Sequence, residues 1–352
     1  GRDWLFYRAF PIHVGLIRAT AADPSGNLVM DEEAVIGEVL PIAQAAHNCG
    51  GKVIAQVKRL LDRPAPPHQV KVPGILVDHV VVADEAEHSQ TFAEPLNSSY
   101  FSPCPAEGRP SDSTTETMSP GARRIIAARA CDELLPGSIA NLGIGMPEGV
   151  ALIAAERQML DQITLTVESG PIGGIPAGGL SFGASAWPEA IIDQPSQFDF
   201  YDGGGLDYAA LGAAQVDQHG NVNVSKFHGR VAGVGGFVNI SQNARRVIFC
   251  GTMTSGGLEV EVRRGQLRIL KEGAIRKFVE QVEQVSFSGE VAARAGREVL
   301  FVTERAVFQL TEKGLRLIEV APGVDVQAHI LDMMDFMPDA SSFRQMSASC
   351  FR

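Results

Sequence analysis

The chain has 352 residues, 45% of them hydrophobic and 20% charged, with 30 basic against 41 acidic side chains and a net charge of −11. That length fits two domains of ordinary size, and no apolar run approaches the roughly 18 residues of a membrane span. Disorder and collagen are excluded by the globular composition, and the acidic balance without a Lys/Arg block argues against nucleic acid as a main partner, leaving room for a local basic patch.

Residues 1–94 read as α/β. Gly1-Arg2-Asp3-Trp4 carries no signal peptide and no initiator Met, so the chain is expected to be a piece of something longer. A strand over 13–19, a turn at Asp23-Pro24-Ser25-Gly26-Asn27, a helix over 32–47 and strands over 52–57 and 75–82 follow. Residues 95–119 turn to Pro, Ser, Thr, Asn and Glu and read as a linker. A helix then begins with Ser119 as N-cap and Pro120 at its first position. Next comes β-α-β: a strand over 138–145, a helix over 147–160 and a strand over 163–168. Beyond Glu259 the pattern becomes a β-meander with strands over 299–303, 306–311 and 315–320, then a helix after Asp325. The second domain therefore spans 120–340, and 341–352 reads as a frayed tail.

An internal repeat organises these elements. Asp217-Gln218-His219-Gly220-Asn221-Val222 resembles Asp23-Pro24-Ser25-Gly26-Asn27-Leu28, and lies 194 residues later. Arg246-Val247-Ile248 repeats Lys52-Val53-Ile54 at the same offset of 194. A shared offset points to duplication. On that reading the counterpart of the helix at Pro120 falls before residue 1, so the first domain lacks roughly its first 75 residues.

In parallel α/β sheets ligands bind where loops leave the carboxyl ends of strands. One such loop is Gly143-Ile144-Gly145-Met146-Pro147, whose glycines expose backbone N–H groups before a helix. It is not a dinucleotide fingerprint, because Glu148 stands where a third glycine belongs, nor a P-loop, because no Gly-Lys-Ser/Thr follows. A packing-driven turn reads equally well. The next strand ends Val167-Glu168-Ser169-Gly170-Pro171. A hydrolase elbow is excluded by Val167 and Pro171. Glu168 then reads either as a solvated strand-end carboxylate or as a nucleophile in a glycine-walled slot. Two further glycine clusters follow, at 203–205 and 229–236, where Gly235 and Gly236 offer N–H donors for an oxyanion or ordinary loop geometry. His219 and His228 read as loop residues. The five cysteines, never paired as CxxC, read as reduced thiols, and the dispersed histidines hold no metal-ligand spacing.

These pieces together resemble the family I coenzyme A transferases, most closely the acetate/propionate type. The resemblance rests on Glu168-Ser169-Gly170-Pro171-Ile172-Gly173, which fits a Glu-x-Gly-x-x-Gly signature, and on the Gly143-Ile144-Gly145 loop. Gly233-Val234-Gly235-Gly236-Phe237-Val238-Asn239-Ile240 and Val302-Thr303-Glu304-Arg305-Ala306-Val307-Phe308 also match, and Trp4–Phe10 is similar to the middle of the family's first domain. The resemblance covers nearly the whole chain. It implies two similar α/β domains with mostly parallel sheets, the first incomplete. It implies transfer of CoA between a short-chain acyl-CoA and a carboxylic acid, ping-pong, with Glu168 as nucleophile. Gly143, Ile144, Gly145, Met146 and Pro147 would bind CoA, and Gly235 and Gly236 would flank the reacting carboxyl group. CoA would be substrate and covalent intermediate, with no tightly bound cofactor and no metal. The expected setting is a cytoplasmic homo-oligomer with neither membrane nor nucleic acid as partner. Thr252-Met253-Thr254 stands where some relatives carry a CoA-contacting lysine, and the family's side-chain oxyanion donor would lie before residue 1. An acyl-CoA hydrolase, and an inactive or CoA-sensing subunit on the same scaffold, are the alternatives.

Overall fold

The computed structural model describes residues 4–106 and 118–352. The first unit is a five-stranded sheet in the order β4-β2-β1-β3-β5, made of β1 (Val14–Ala22), β2 (Leu28–Val29), β3 (Lys52–Leu60), β4 (Val70–Val72) and β5 (His79–Val82). Helix α1 (Val39–Asn48) covers one face, setting Ala43 and Ala46 against Ile17, Ala19, Val53, Ala55 and Val57. The helix begins later than the apolar pattern predicts. Proline is tolerated only in a first turn, which places the start near Pro41, while upstream Glu33 turns inward to pair with Arg18 at 2.9 Å. The strand expected over 75–82 is shortened at its front, where residues Gly74–Leu76 form a 3₁₀ turn.

The second unit is a ten-stranded sheet. Five parallel strands form its centre in the order β7 (Thr164–Thr166), β6 (Ile139–Leu142), β10 (Tyr208–Gly212), β11 (Arg246–Cys250) and β12 (Glu298–Val302). Antiparallel β8 (Pro171–Ile172) and β9 (Ala190–Ile191) extend one edge. The predicted meander, β13 (Ala306–Thr311) and β14 (Gly314–Val320), extends the other. Helices α2 (Ala122–Cys131) and α3 (Gly149–Glu156) pack on one face with Ile248 and Val302, while α4 (Gln194–Asp202) and α5 (Phe237–Asn243) pack on the opposite face with Val247 and Phe249. Burial on both faces explains why Val247-Ile248-Phe249-Cys250 is an unbroken apolar run and not an alternating one. Helices α6 (Gly289–Arg294) and α7 (Val326–His329) complete the unit.

The duplication appears in atomic detail. Val14 pairs with Lys52 in parallel register, and Tyr208 pairs with Arg246, each pair member shifted by 194. Asp23 Oδ1 accepts from the amides of Ser25 (2.8 Å) and Asn27 (3.0 Å), and Asp217 Oδ1 from those of His219 and Asn221 (both 3.0 Å). Asn27 and Asn221 then each accept the amide of a distant glycine, Gly74 at 2.8 Å and Gly289 at 3.0 Å.

Three expectations are corrected. Helix α2 is capped by Gly121 with no side-chain cap bond, not by Ser119 with Pro120 inside the helix. The chain before it is held instead by Arg124 Nη1, which donates to the Met118 carbonyl at 3.0 Å. The expected linker is packed down around Tyr100, which is buried: its hydroxyl donates to Glu94 at 2.5 Å, and Glu94 also accepts from Ser181 of the second unit at 2.7 Å, while residues 103–106 are exposed. Residues 107–117 of that stretch lie outside the described residues. The tail is not frayed. β15 (Arg344–Gln345) pairs with β14, and Met346, Cys350 and Phe351 join the core beneath α2.

Candidate active site

Strands β6 and β7 are parallel neighbours, so the loops leaving their carboxyl ends emerge side by side, about 4.8 Å apart at the strands. The first is the Gly143–Pro147 loop. Gly143 is half-buried and donates its amide to the Ala210 carbonyl at 2.8 Å. Ile144 and Gly145 are exposed, Met146 is half-buried and Pro147 is buried. Arg123 fastens the loop by donating to the Gly145 carbonyl at 3.0 Å and pairing with Glu148 at 3.2 Å.

The second loop carries Glu168, two residues beyond the end of β7 and half-buried. The side-chain amide of Asn141 donates to Glu168 Oε2 at 3.3 Å. Opposite, Gly236 lies against the same side chain: a Cβ at that position would stand 3.4 Å from Glu168 Cγ, with the Phe198 ring at 3.1 Å. A side chain at 236 would be crowded first by the Phe198 ring and by Ile240 at 3.2 Å, and would meet Glu168 at ordinary contact distance. Gly235 is exposed with φ +51 and has nothing within 4 Å of a built Cβ. The structure thus brings Glu168 and Gly236 together, sets Gly235 beside them in the chain, and places the 143–147 loop on the adjacent strand. The 203–205 cluster ends α4 instead, where Asp202 accepts from Asn239 at 2.9 Å. His219 and His228 are exposed loop residues.

A buried polar network stands behind Glu168 that the sequence did not announce. Gln197 Nε2 donates to Tyr201 Oη at 2.9 Å, Tyr201 Oη donates to Thr166 Oγ1 at 2.9 Å, and Thr166 Oγ1 donates to the Ala140 carbonyl at 3.1 Å. Burial pushes the Tyr201 phenol above its ordinary value, and the nearby Glu168 charge adds to this, so the hydroxyl keeps its proton. The one local signal was Asn141 itself, a polar residue inside the apolar strand Ile139-Ala140-Asn141-Leu142. Ser169, next to the glutamate, donates to the Gly183 carbonyl at 2.5 Å. It lines a cleft of about 570 Å³ between the two units, walled by Arg18, Val35, Phe92, Leu180 and Phe182. Among the described residues, no helix is long and apolar enough to cross a membrane.

No family model matches the chain. It is 44% identical over 338 residues to the acetate CoA-transferase YdiF of Escherichia coli O157:H7, a match covering 96% of this chain and 63% of that protein. It is also 44% identical over 359 residues to the caffeate CoA-transferase of Acetobacterium woodii, covering 100% of this chain and 68% of that protein. The crystal structure of the acyl-CoA transferase YdiF from E. coli O157:H7, as a thioester complex with CoA, superposes with a TM-score of 0.88 at 41% identity, over 98% of this chain and 64% of that one. The chain thus spans under two thirds of YdiF. Two relatives at this identity and a shared fold lead to one conclusion: the chain belongs to the coenzyme A transferases.

Proposed function

We propose that this chain carries the catalytic unit of a short-chain acyl-CoA:carboxylate CoA-transferase of the acetate/propionate type, with Glu168 as its nucleophile. The observation that supports it most is the seating of Glu168: a half-buried carboxylate at the end of a parallel strand, between the Asn141 amide and Gly236. In the first step a Glu168 oxygen attacks the thioester carbonyl carbon; a C–O bond forms, the C–S bond breaks, and CoA thiolate leaves with the electron pair. The thiolate then attacks Glu168 Cδ of the mixed anhydride, forming glutamyl-CoA thioester and expelling the donor's carboxylate. A second carboxylic acid runs both steps backwards and departs as its CoA ester.

Over each half-reaction the two steps sum to one carboxylate taking another's place in a CoA thioester, so the exchange is nearly thermoneutral and needs no water. The activated intermediates do require a site that keeps water out. Gly143, Ile144, Gly145, Met146 and Pro147 are assigned to the CoA arm, and the backbone of Gly235 and Gly236 to the flank of the reacting carboxyl group. The cleft beside Ser169 supplies room for the acyl group. Residues 1–94 are assigned to the back part of a first domain and 120–340 to a second. The working enzyme is assigned a further front segment, a homo-oligomeric state and a cytoplasmic setting. Incubation of the full-length enzyme, front segment included, with acetyl-CoA, followed by peptide mass mapping, tests this directly. A CoA adduct on Glu168, absent in Glu168→Ala, is expected. Acid released without any adduct, and unaffected by an acceptor carboxylate, would point to simple hydrolysis.

A further inference from the structure

We infer that Asn141 is a catalytic residue, the side-chain donor that stabilises negative charge on the Glu168 carbonyl oxygen while thiolate attacks it; this rests on the CoA-transfer reading above. The family resemblance looks for a side-chain oxyanion donor before residue 1, whereas this amide comes from the same sheet as the glutamate.

The orientation of the Asn141 amide follows from its surroundings. Its nitrogen faces Glu168 Oε2 and the Thr166 carbonyl, both at 3.3 Å, and Tyr201 Oη at 3.4 Å. An ionised carboxylate and a backbone carbonyl only accept, so the N–H end and not the oxygen must face them. The Tyr201 hydroxyl proton is committed to Thr166, and the Thr166 proton to the Ala140 carbonyl, so Tyr201 Oη also meets Asn141 as an acceptor. The donor chain from Gln197 through Tyr201 and Thr166 thus runs one way and leaves Asn141 no alternative rotamer of equal satisfaction. Asn141 is 1% exposed, Gln197 and Tyr201 are fully buried, and the oxygens Asn141 Oδ1 and Gln197 Oε1 have no hydrogen-bond partner. Leaving buried acceptors unpaired is unfavourable, so these amides are held by what their nitrogens do.

At rest the donor faces a carboxylate whose charge is shared over two oxygens. When thiolate adds to Cδ of the acyl-glutamyl anhydride, a C–S bond forms and the carbonyl π electrons move onto the former carboxylate oxygen, which then bears a full charge. Collapse re-forms the C=O bond and expels the donor's carboxylate. A fixed N–H donor in a dry site gains most strength at the moment that charge concentrates, which is the condition for lowering the barrier and not merely tightening binding.

The test is rapid-quench mass spectrometry of glutamyl-CoA formation from acetyl-CoA in the full-length enzyme, front segment included, as wild type, Asn141→Asp, Asn141→Ala and Tyr201→Phe. Thermal unfolding accompanies each variant. Asn141→Asp keeps the shape and loses the donor. Both Asn141 variants should slow adduct formation about 100-fold at saturating acetyl-CoA, the order expected for removing one oxyanion donor. The concentration giving half-maximal rate should change less than about 3-fold, since the donor acts on the transition state. Tyr201→Phe should slow the step only several-fold. An Asn141→Ala chain that folds and forms adduct at the wild-type rate would overturn the assignment. So would a variant whose defect is relieved by raising acetyl-CoA. A full-length wild-type enzyme, front segment included, that forms no adduct would instead overturn the CoA-transfer reading, and the assignment with it.

Discussion

Arg129 and Glu319 show how single side chains tie distant parts of the second unit together. Arg129 on α2 is almost wholly buried and pairs with Glu319 on β14 at 2.7 Å, while Arg344 of the tail reaches the same carboxylate at 2.7 Å. Burial alone would raise the Glu319 carboxyl, but the two guanidinium groups outweigh it and hold the group below the usual carboxylate range. A folded value below the unfolded one means that Glu319 stabilises the chain fully above about pH 4.3, and that this stability is lost as pH falls through the folded value. Arg129→Ala should cost about 3 kcal/mol at pH 7, because it strands a buried charge with one partner fewer. Urea unfolding across the acid range checks this. The gap between wild type and variant should narrow as Glu319 protonates, and a gap constant with pH would show that lost packing, not charge, is responsible.

The element that recurs in both units is a strand, an Asp-x-x-Gly-Asn turn and a second parallel strand. Its energetic weight falls on the carboxylates of Asp23 and Asp217, which gather three donors each from the turn. Burial opposes ionisation of Asp23, yet its hydrogen bonds with Asn27, Ala65 and Ser25 hold the carboxyl below the usual range. The turn docks against a glycine from far along the chain, and there the space is closed. A Cβ at Gly74 would overlap the Ser25 carbonyl oxygen, and one at Gly289 the His219 carbonyl oxygen. Gly289→Ala should therefore destabilise the second unit by about 2 kcal/mol or more through overpacking, read as a lower denaturant midpoint. Gly74→Ala should do the same in the first unit. These two glycines are not 194 residues apart, so no offset search pairs them; the connecting loops differ in length while the docking geometry is kept.

At the scale of the whole molecule, the last residues close the second unit. Phe351 and Cys350 sit under α2, and Arg124 donates to the Arg352 carbonyl at 2.6 Å. Burial pushes the thiols of Cys131 up to about 11 and of Cys250 and Cys350 up to about 12, whereas Cys49 and Cys104 are exposed. Alkylation of the native chain at neutral pH should label Cys49 and Cys104 and spare the other three. Phe351→Ala should cost about 3–5 kcal/mol as a large core truncation and open Cys350 to the reagent, with peptide mapping as the readout.

Several features of the site were legible in the sequence because they are local. A carboxylate at a strand end, glycines where backbone must come close, and a turn motif spaced by a fixed offset are written in consecutive residues. Such local signals single out Glu168 and the 143–147 loop as candidates and make the duplication visible. The frayed tail and the Ser119 cap were misjudged because terminal composition and capping chemistry are weak against tertiary contacts made by Arg124 and Arg344. Asn141, Tyr201, Thr166 and Gln197 come from three elements, and each alone resembles a filler of its strand or helix. Only folding links their polar atoms into a chain of contacts of 2.9–3.4 Å and brings Asn141 to Glu168 at 3.3 Å. A hydrogen bond depends on distance and direction in space, which a one-dimensional order of residues does not specify.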